Sequence, residues 1–170
     1  MNEYDQRNQT VENQYNADKI EININSQTPT DSELLEKGKK LLAAKSYDQA
    51  IKVLEQSLEQ NADFPETYYY LSIALLRGNR PKLLKLSRIK TIENYLSNAI
   101  RLEPQQGKGY VLWALVKYDF YILNGMLDRP PTYQDLLAQE WSLSRLQAQE
   151  ILSVINANEN QVWQWIKKQI

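Results

Sequence analysis

Apolar residues recur at helical spacing in short stretches along most of the chain, and turn residues separate these stretches. The segment Thr30–Glu33 matches a capping box and starts the first predicted helix. A second helix is predicted over about Asp48–Asn61, and Pro65 suits the first turn of a third helix, which Gly78 and Asn79 end. Short turns between such helices favour an all-α fold of antiparallel helix hairpins.

The C-terminal part continues the helical pattern after a predicted loop at Met126–Pro131. A second capping box, Thr132–Asp135, starts one long predicted helix, and a short final helix follows. Their apolar positions are Leu136, Leu137, Trp141, Leu146, Ile151, Leu152 and Ile155 in the long helix, and Val162, Trp163, Ile166 and Ile170 in the short one. These helices would cap the last apolar face of the array, or Trp163 and Trp165 would form a dimer face.

Residues 1–29 differ from the rest because they are rich in Asn and Gln and poor in large apolar residues. This composition predicts a flexible tail, in which Lys19–Ile24 alternates as a strand would. The tail has no apolar core of a signal peptide, and no apolar run in the sequence reaches the length of a membrane span. We therefore expect a single domain over residues 30–170, a cytoplasmic location and no membrane partner.

The spacing of the predicted helices resembles the tetratricopeptide repeat, a helix hairpin of about 34 residues. The positions that carry the resemblance are Leu34, Gly38, Leu41, Ala50 and Leu54 in a first repeat, Tyr68, Leu71, Ser72, Leu75, Leu96, Ala99 and Pro104 in a second, and Tyr110, Trp113 and Ala114 in a third. The resemblance covers about residues 31–125, as repeats 31–64, 65–106 and 107–125. It implies a short superhelix of stacked hairpins that binds peptides or partner proteins in a concave groove.

The second repeat departs from this pattern, because about eight extra residues, roughly two helical turns, lie between Gly78 and Ile92. The insertion coincides with six cations and no acid, in a chain whose formal net charge is −1. These cations are Arg77, Arg80, Lys82, Lys85, Arg88 and Lys90. A local excess of this kind predicts an anion-binding site, and a solvated helix face is the alternative.

Helical phase sharpens the interpretation of the insertion. If residues 81–102 form one helix, its apolar stripe through Ile89 extends backward to Lys85 and Arg88. Either the helix breaks at Ser87, a suitable N-cap, or its first turns overhang the hairpin and face a groove. In both cases we expect the positive side chains to converge beside the turn that ends the third helix.

The candidate ligand-binding residues are Arg77, Asn79, Arg80, Lys82, Lys85, Arg88, Lys90 and Tyr69. Arg provides a planar fork for phosphate or carboxylate and stacks on nucleobases. Tyr69 lies off the predicted packing face and is therefore expected at the surface, whereas Tyr68 and Trp113 are expected in the core.

The absence of His and Cys excludes Ser-His-Asp and Cys-His catalysis and thiolate metal sites. The glycines form no phosphate-binding fingerprint, and no spaced pair of carboxylates suggests catalysis. An enzyme based on carboxylates or on Tyr and Lys stays open, but nothing favours one. We expect a protein without enzymatic activity, cofactor or metal.

Two functions fit these observations. The first is a signalling adaptor or receptor that binds a phosphorylated small ligand at the insertion and a protein partner through the repeats. A cyclic dinucleotide such as c-di-GMP suits the site, because its phosphates pair with Arg and Lys and its purines stack. The second is a plain repeat adaptor or assembly factor that recognises an acidic peptide, with no nucleotide. The pI near 5.6 argues against long nucleic acid.

Overall fold

The computed structural model describes residues 29–170, so the predicted tail and the alternating Lys19–Ile24 segment lie outside the described residues. Within 29–170 the chain forms eight α-helices: α1 Asp31–Ala43, α2 Tyr47–Gln60, α3 Pro65–Leu76, α4 Leu86–Leu102, α5 Gly107–Lys117, α6 Tyr133–Leu137, α7 Arg145–Val154 and α8 Gln161–Lys167. A 3₁₀ turn, Pro81–Leu83, precedes α4, and a π-helical segment, Tyr118–Ile122, continues α5. This part of the chain contains no strand, which confirms the all-α fold class.

The predicted capping box at the start of α1 is present in the structure. The Thr30 hydroxyl accepts a hydrogen bond from the Glu33 backbone N–H at 3.2 Å, and the Glu33 carboxylate accepts one from the Thr30 N–H at 2.8 Å. Consecutive helices then pack on one another, α1 on α2 and α3 on α4. Gly38 permits the first of these contacts, because a Cβ there would lie 2.5 Å from Cδ2 of Leu54 in α2.

Helix α5 is the centre of the fold. Every residue from Gly107 to Tyr121 is buried. Helix α4 packs on α5 from one side, and α6, α7 and α8 also contact it. This arrangement confirms the predicted capping role of the C-terminal helices. Trp163 belongs to this core and donates its indole N–H to the Ile155 carbonyl at 2.8 Å, so of the predicted dimer pair only Trp165 is exposed.

The single long helix predicted after the second capping box is wrong, because the structure divides it into α6 and α7. Between them Ser142 accepts a hydrogen bond from the Gly107 N–H at 2.8 Å, a backbone pairing that a continuous helix would prevent. Ser144 then starts α7 with a capping box of its own. Ile170 also lies outside its predicted helix, since α8 ends at Lys167.

Residues 81–102 do not form one helix, and the predicted break is present. Helix α4 begins one residue before Ser87, with Lys85 in the cap position and no side-chain hydrogen bond at the cap. The buried stripe of α4 starts at Ile89, while Lys85 is exposed and Arg88 is half-buried. The prediction that Lys85 and Arg88 continue the buried face is therefore wrong: Lys85 lies before the helix, at its cap, and Arg88 lies within α4 but is only half-buried.

Candidate functional site

The cationic segment, Arg77–Lys90, is tied to the core by two carboxylates from distant parts of the chain. Arg80 donates from Nη2 to Oδ1 of Asp119 at 2.6 Å and from Nη1 to Oε2 of Glu159 at 2.9 Å. Lys82 donates from Nζ to the same Glu159 oxygen at 3.0 Å and from its backbone N–H to Asp119 Oδ2 at 3.1 Å. Asp119 is fully buried, so this part of the segment is a structural anchor.

The pKa values at this anchor reflect the pairing. The hydrogen bond with Asp119 raises the pKa of the Arg80 guanidinium, against the opposing effect of its partial burial. The hydrogen bonds from Arg80 and Lys82 lower the pKa of the Glu159 carboxyl. Arg80 and Glu159 therefore keep their charges at neutral pH. The ion pair of Arg80 with Asp119 holds the 3₁₀ turn against the π-helical segment.

The remaining cations separate instead of converging. Arg77 pairs with Asp48 of α2, and Lys90 pairs with Glu93 of α4 at 2.8 Å. Among the ion pairs of residues 29–170, none involves Lys85 or Arg88. The structure thus brings Arg80 and Lys82 together and directs the other cations elsewhere. The ligand-binding role of the segment stays a prediction.

The other two candidate residues, Asn79 and Tyr69, are held by contacts within the fold. The amide of Asn79 donates to the Arg77 carbonyl at 3.2 Å, and its backbone N–H donates to the Leu76 carbonyl at 2.8 Å. Tyr69 is 1% exposed and belongs to the core, so its predicted surface position is wrong. The ring is covered by α5, where Nζ of Lys108 lies 4.6 Å from its centroid. Helix α3 packs on α1, α2 and α4 as well, which leaves Tyr69 no outer face.

A groove of about 780 Å³ lies between α1, α3 and α7, and we call it the α1–α3–α7 groove. Its charged and aromatic lining residues are Lys39, Lys45, Arg77, Glu150, Tyr47 and Tyr70. Among the cations that the sequence predicts to bind a ligand, Arg77 is the one that lines this groove. Sequence reasoning missed Lys39 and Lys45, because in the sequence they look like ordinary solvated residues of a polar helix face.

The electrostatics of this groove favour an anion. Its one lining carboxylate, Glu150, accepts a hydrogen bond from the Tyr70 hydroxyl at 2.6 Å. Burial is the largest cause that raises the pKa of the Tyr70 hydroxyl, and the hydrogen bond to Glu150 raises it further. The hydroxyl therefore stays protonated and remains a donor at neutral pH. Nζ of Lys39 lies 5.0 Å from the Tyr70 ring centroid and 2.8 Å from the exposed Glu36 carboxylate. Exposed pairs of this kind contribute little, so a ligand carboxylate can replace Glu36.

A buried charge network forms the floor of a second groove, of about 540 Å³, between α4, α5 and the loop after the π-helical segment. Nζ of Lys117 lies 2.8 Å from Oδ1 of Asp128 and 3.2 Å from Oε1 of Glu93. Glu93 also accepts hydrogen bonds from the Tyr121 hydroxyl at 3.0 Å and from Lys90 at 2.8 Å. Burial opposes the ionisation of Glu93, but Lys90 and Lys117 outweigh it and lower its pKa.

Comparison with known proteins gives no assignment for this arrangement. No protein-family model matches the sequence, and no curated protein matches it. The tetratricopeptide resemblance therefore rests on the spacing of the residues given above and stays a prediction. Of the helices in residues 29–170, none is both long and apolar enough to cross a membrane.

Proposed function

We propose that the protein is a non-enzymatic, tetratricopeptide-like adaptor that binds an acidic peptide of a partner protein in the α1–α3–α7 groove. The observation that carries the proposal is the charge of this groove: Lys39, Lys45 and Arg77 line it, and its one carboxylate is already hydrogen-bonded. The carboxylates that pair with Arg77 and Lys39, Asp48 and Glu36, are exposed, so an acidic ligand can replace them. A concave site with convergent cations and aromatic rings binds carboxylates through charge-assisted hydrogen bonds.

The chemistry of the buried charge network supports a role without catalysis. A general acid needs a pKa near the working pH, but the pKa of Glu93 is lowered. Its carboxylate oxygens are also occupied, because Lys90, Lys117 and Tyr121 all contact them. Glu93 is therefore held as an anion at neutral pH, and the network acts as a structural element that orients α4 against α5.

The test uses two fluorescent peptides of equal length, one rich in Asp and Glu and one with Asn and Gln in their place. We expect fluorescence polarisation to show saturable binding of the acidic peptide alone. Arg77→Gln and Lys39→Gln should each weaken binding about fivefold, the equivalent of about 1 kcal/mol for an accessible ion pair. Arg101→Gln, at an exposed site on α4, is the matched control and should change nothing. Equal binding of both peptides would refute the proposal.

The second candidate ligand is a cyclic dinucleotide. The α1–α3–α7 groove favours it because the guanidinium of Arg77 and the rings of Tyr47 and Tyr70 line the same space. Calorimetric titration with c-di-GMP separates the two ligands. A saturable heat that Arg77→Gln removes supports the nucleotide in this groove, and a heat that Lys85→Gln or Arg88→Gln removes places it at the cationic segment. No heat in any titration leaves the peptide as the ligand to pursue.

A further inference from the structure

One end of the molecule exposes a cluster of large aliphatic side chains. Eight large apolar residues are exposed within residues 29–170, and five of them lie on two short segments. The five are Leu83, Leu86, Ile122, Met126 and Leu127. Leu83 is 72% exposed and Leu127 is 76% exposed. Contiguous exposed apolar surface of this kind is uncommon on a soluble domain and marks an interaction site.

The two segments are held side by side, and we call them together the leucine end (residues 81–88 and 122–129). The amide of Asn124 donates to the Lys82 carbonyl at 3.2 Å, and the 3₁₀ turn packs on the π-helical segment. Leu86 and Leu127 line the same groove of about 540 Å³. Buried Asp119 binds Arg80 and the backbone of Lys82, and buried Lys117 binds Asp128 and the Arg129 carbonyl, so both segments of the leucine end are anchored to the core.

The charge at the leucine end is positive. Lys85 and Arg129 are exposed and Arg88 is half-buried, and no ion pair of residues 29–170 involves any of the three. The carboxylates that border this end are all paired with cations; they are Asp119, Glu159, Glu93 and Asp128. Cations therefore flank the exposed leucines without compensating acids.

We propose that the leucine end docks on a membrane surface rich in anionic lipid. The leucines enter the boundary between headgroups and acyl chains, and Lys85, Arg88 and Arg129 bind the lipid phosphates. Such a contact is peripheral and needs no membrane span, and it departs from the sequence-based expectation of no membrane partner. The five exposed residues include no aromatic, whereas binding hot spots between proteins are rich in Trp and Tyr and poor in Leu.

The test measures co-sedimentation of the full chain with vesicles of two compositions. One set contains phosphatidylcholine alone, and the other contains phosphatidylcholine and phosphatidylglycerol in equal parts. We expect binding to the mixed vesicles only, weakened by added salt. Lys85→Gln and Arg88→Gln should each reduce the partition coefficient about fivefold, and Leu127→Ser about tenfold. Leu146→Ser is the matched control, because Leu146 is 77% exposed on α7, outside the leucine end.

Three results would overturn the proposal. The first is no co-sedimentation with the mixed vesicles. The second is co-sedimentation that Leu127→Ser and Leu146→Ser affect equally, which would show nonspecific adsorption. The third is a concentration-dependent dimer in sedimentation velocity that Leu127→Ser abolishes, without vesicle binding, which would identify the surface as a contact between two copies of the chain. Circular dichroism of each variant confirms that its helices are retained.

Discussion

The strongest test of the cationic segment is Arg80→Ala. The substitution removes the guanidinium from Asp119, a fully buried carboxylate that would keep only the Lys82 backbone N–H at 3.1 Å and the Asn160 amide at 3.4 Å. Breaking a buried ion pair from one side typically costs about 3–5 kcal/mol, because the other charge stays buried. The Arg80 side chain is itself 21% exposed, so water reaches part of the site. The lost pair with exposed Glu159 adds little. We therefore expect a loss of about 2–4 kcal/mol.

Urea unfolding followed by circular dichroism measures this loss directly, provided that the slope of the transition is unchanged. The control is Arg88→Ala, a cation of the same segment with no ion pair in residues 29–170, which should change the free energy of unfolding by less than about 0.5 kcal/mol. Adding Asp119→Asn to Arg80→Ala should restore part of the stability, because it removes the uncompensated charge. If Arg80→Ala and Arg88→Ala cost equally little, the anchor does not stabilise the fold and the reasoning fails.

Three further predictions follow from other parts of the core. Gly38→Ala should lower the free energy of unfolding by about 1–3 kcal/mol in urea titrations, because its Cβ would meet the buried side chain of Leu54, despite better helix propensity. Asn160→Ala should cost about 2–3 kcal/mol by the same measurement, since its side chain caps α8 and donates to a buried carbonyl. The folded-state pKa of Glu93 is lowered, so its stabilisation is present above the unfolded pKa of about 4.3 and is lost as the pH falls below it. Glu93→Gln should therefore be less stable at neutral pH and lose less stability on acidification, as urea titrations at both pH values would show.

The sequence predicts the N-terminal helices well because local signals decide them. The capping box at Thr30 and the proline at Pro65 mark the starts of α1 and α3 as predicted. The division between α6 and α7 escapes this reasoning, since the backbone pairing of Ser142 with Gly107 is a tertiary contact. The capping pattern at Ser144 is nevertheless present in the sequence and would have indicated the second start.

The candidate site was harder to predict, because its cations and their carboxylate partners are far apart in the sequence. Counting charges in a window detects the cations of residues 77–90 but not their partners. Asp119 and Glu159 lie 39 and 79 residues after Arg80, and no local pattern reveals that they return to it. The predicted surface position of Tyr69 is wrong for a similar reason. Helix α3 is covered by other helices on several sides, and the spacing of apolar residues within one helix does not reveal how many neighbours cover it. Among the candidate residues selected by the sequence, the structure places Arg77 in the α1–α3–α7 groove and Lys90 in the second groove.

The large sequence separation between Arg80 and its two carboxylate partners also affects how the chain folds during synthesis. In a repeat array each unit contacts only its neighbours, so the first units can fold while later ones are still being translated. Here the turn at Pro81–Leu83 obtains its second carboxylate only when Glu159 has left the ribosome. A nascent chain that ends near residue 125 would leave α5 uncovered and Arg80 half-paired. The domain is therefore expected to fold as one cooperative unit only after residue 159 has emerged, and it should not tolerate the gain or loss of a single helix hairpin.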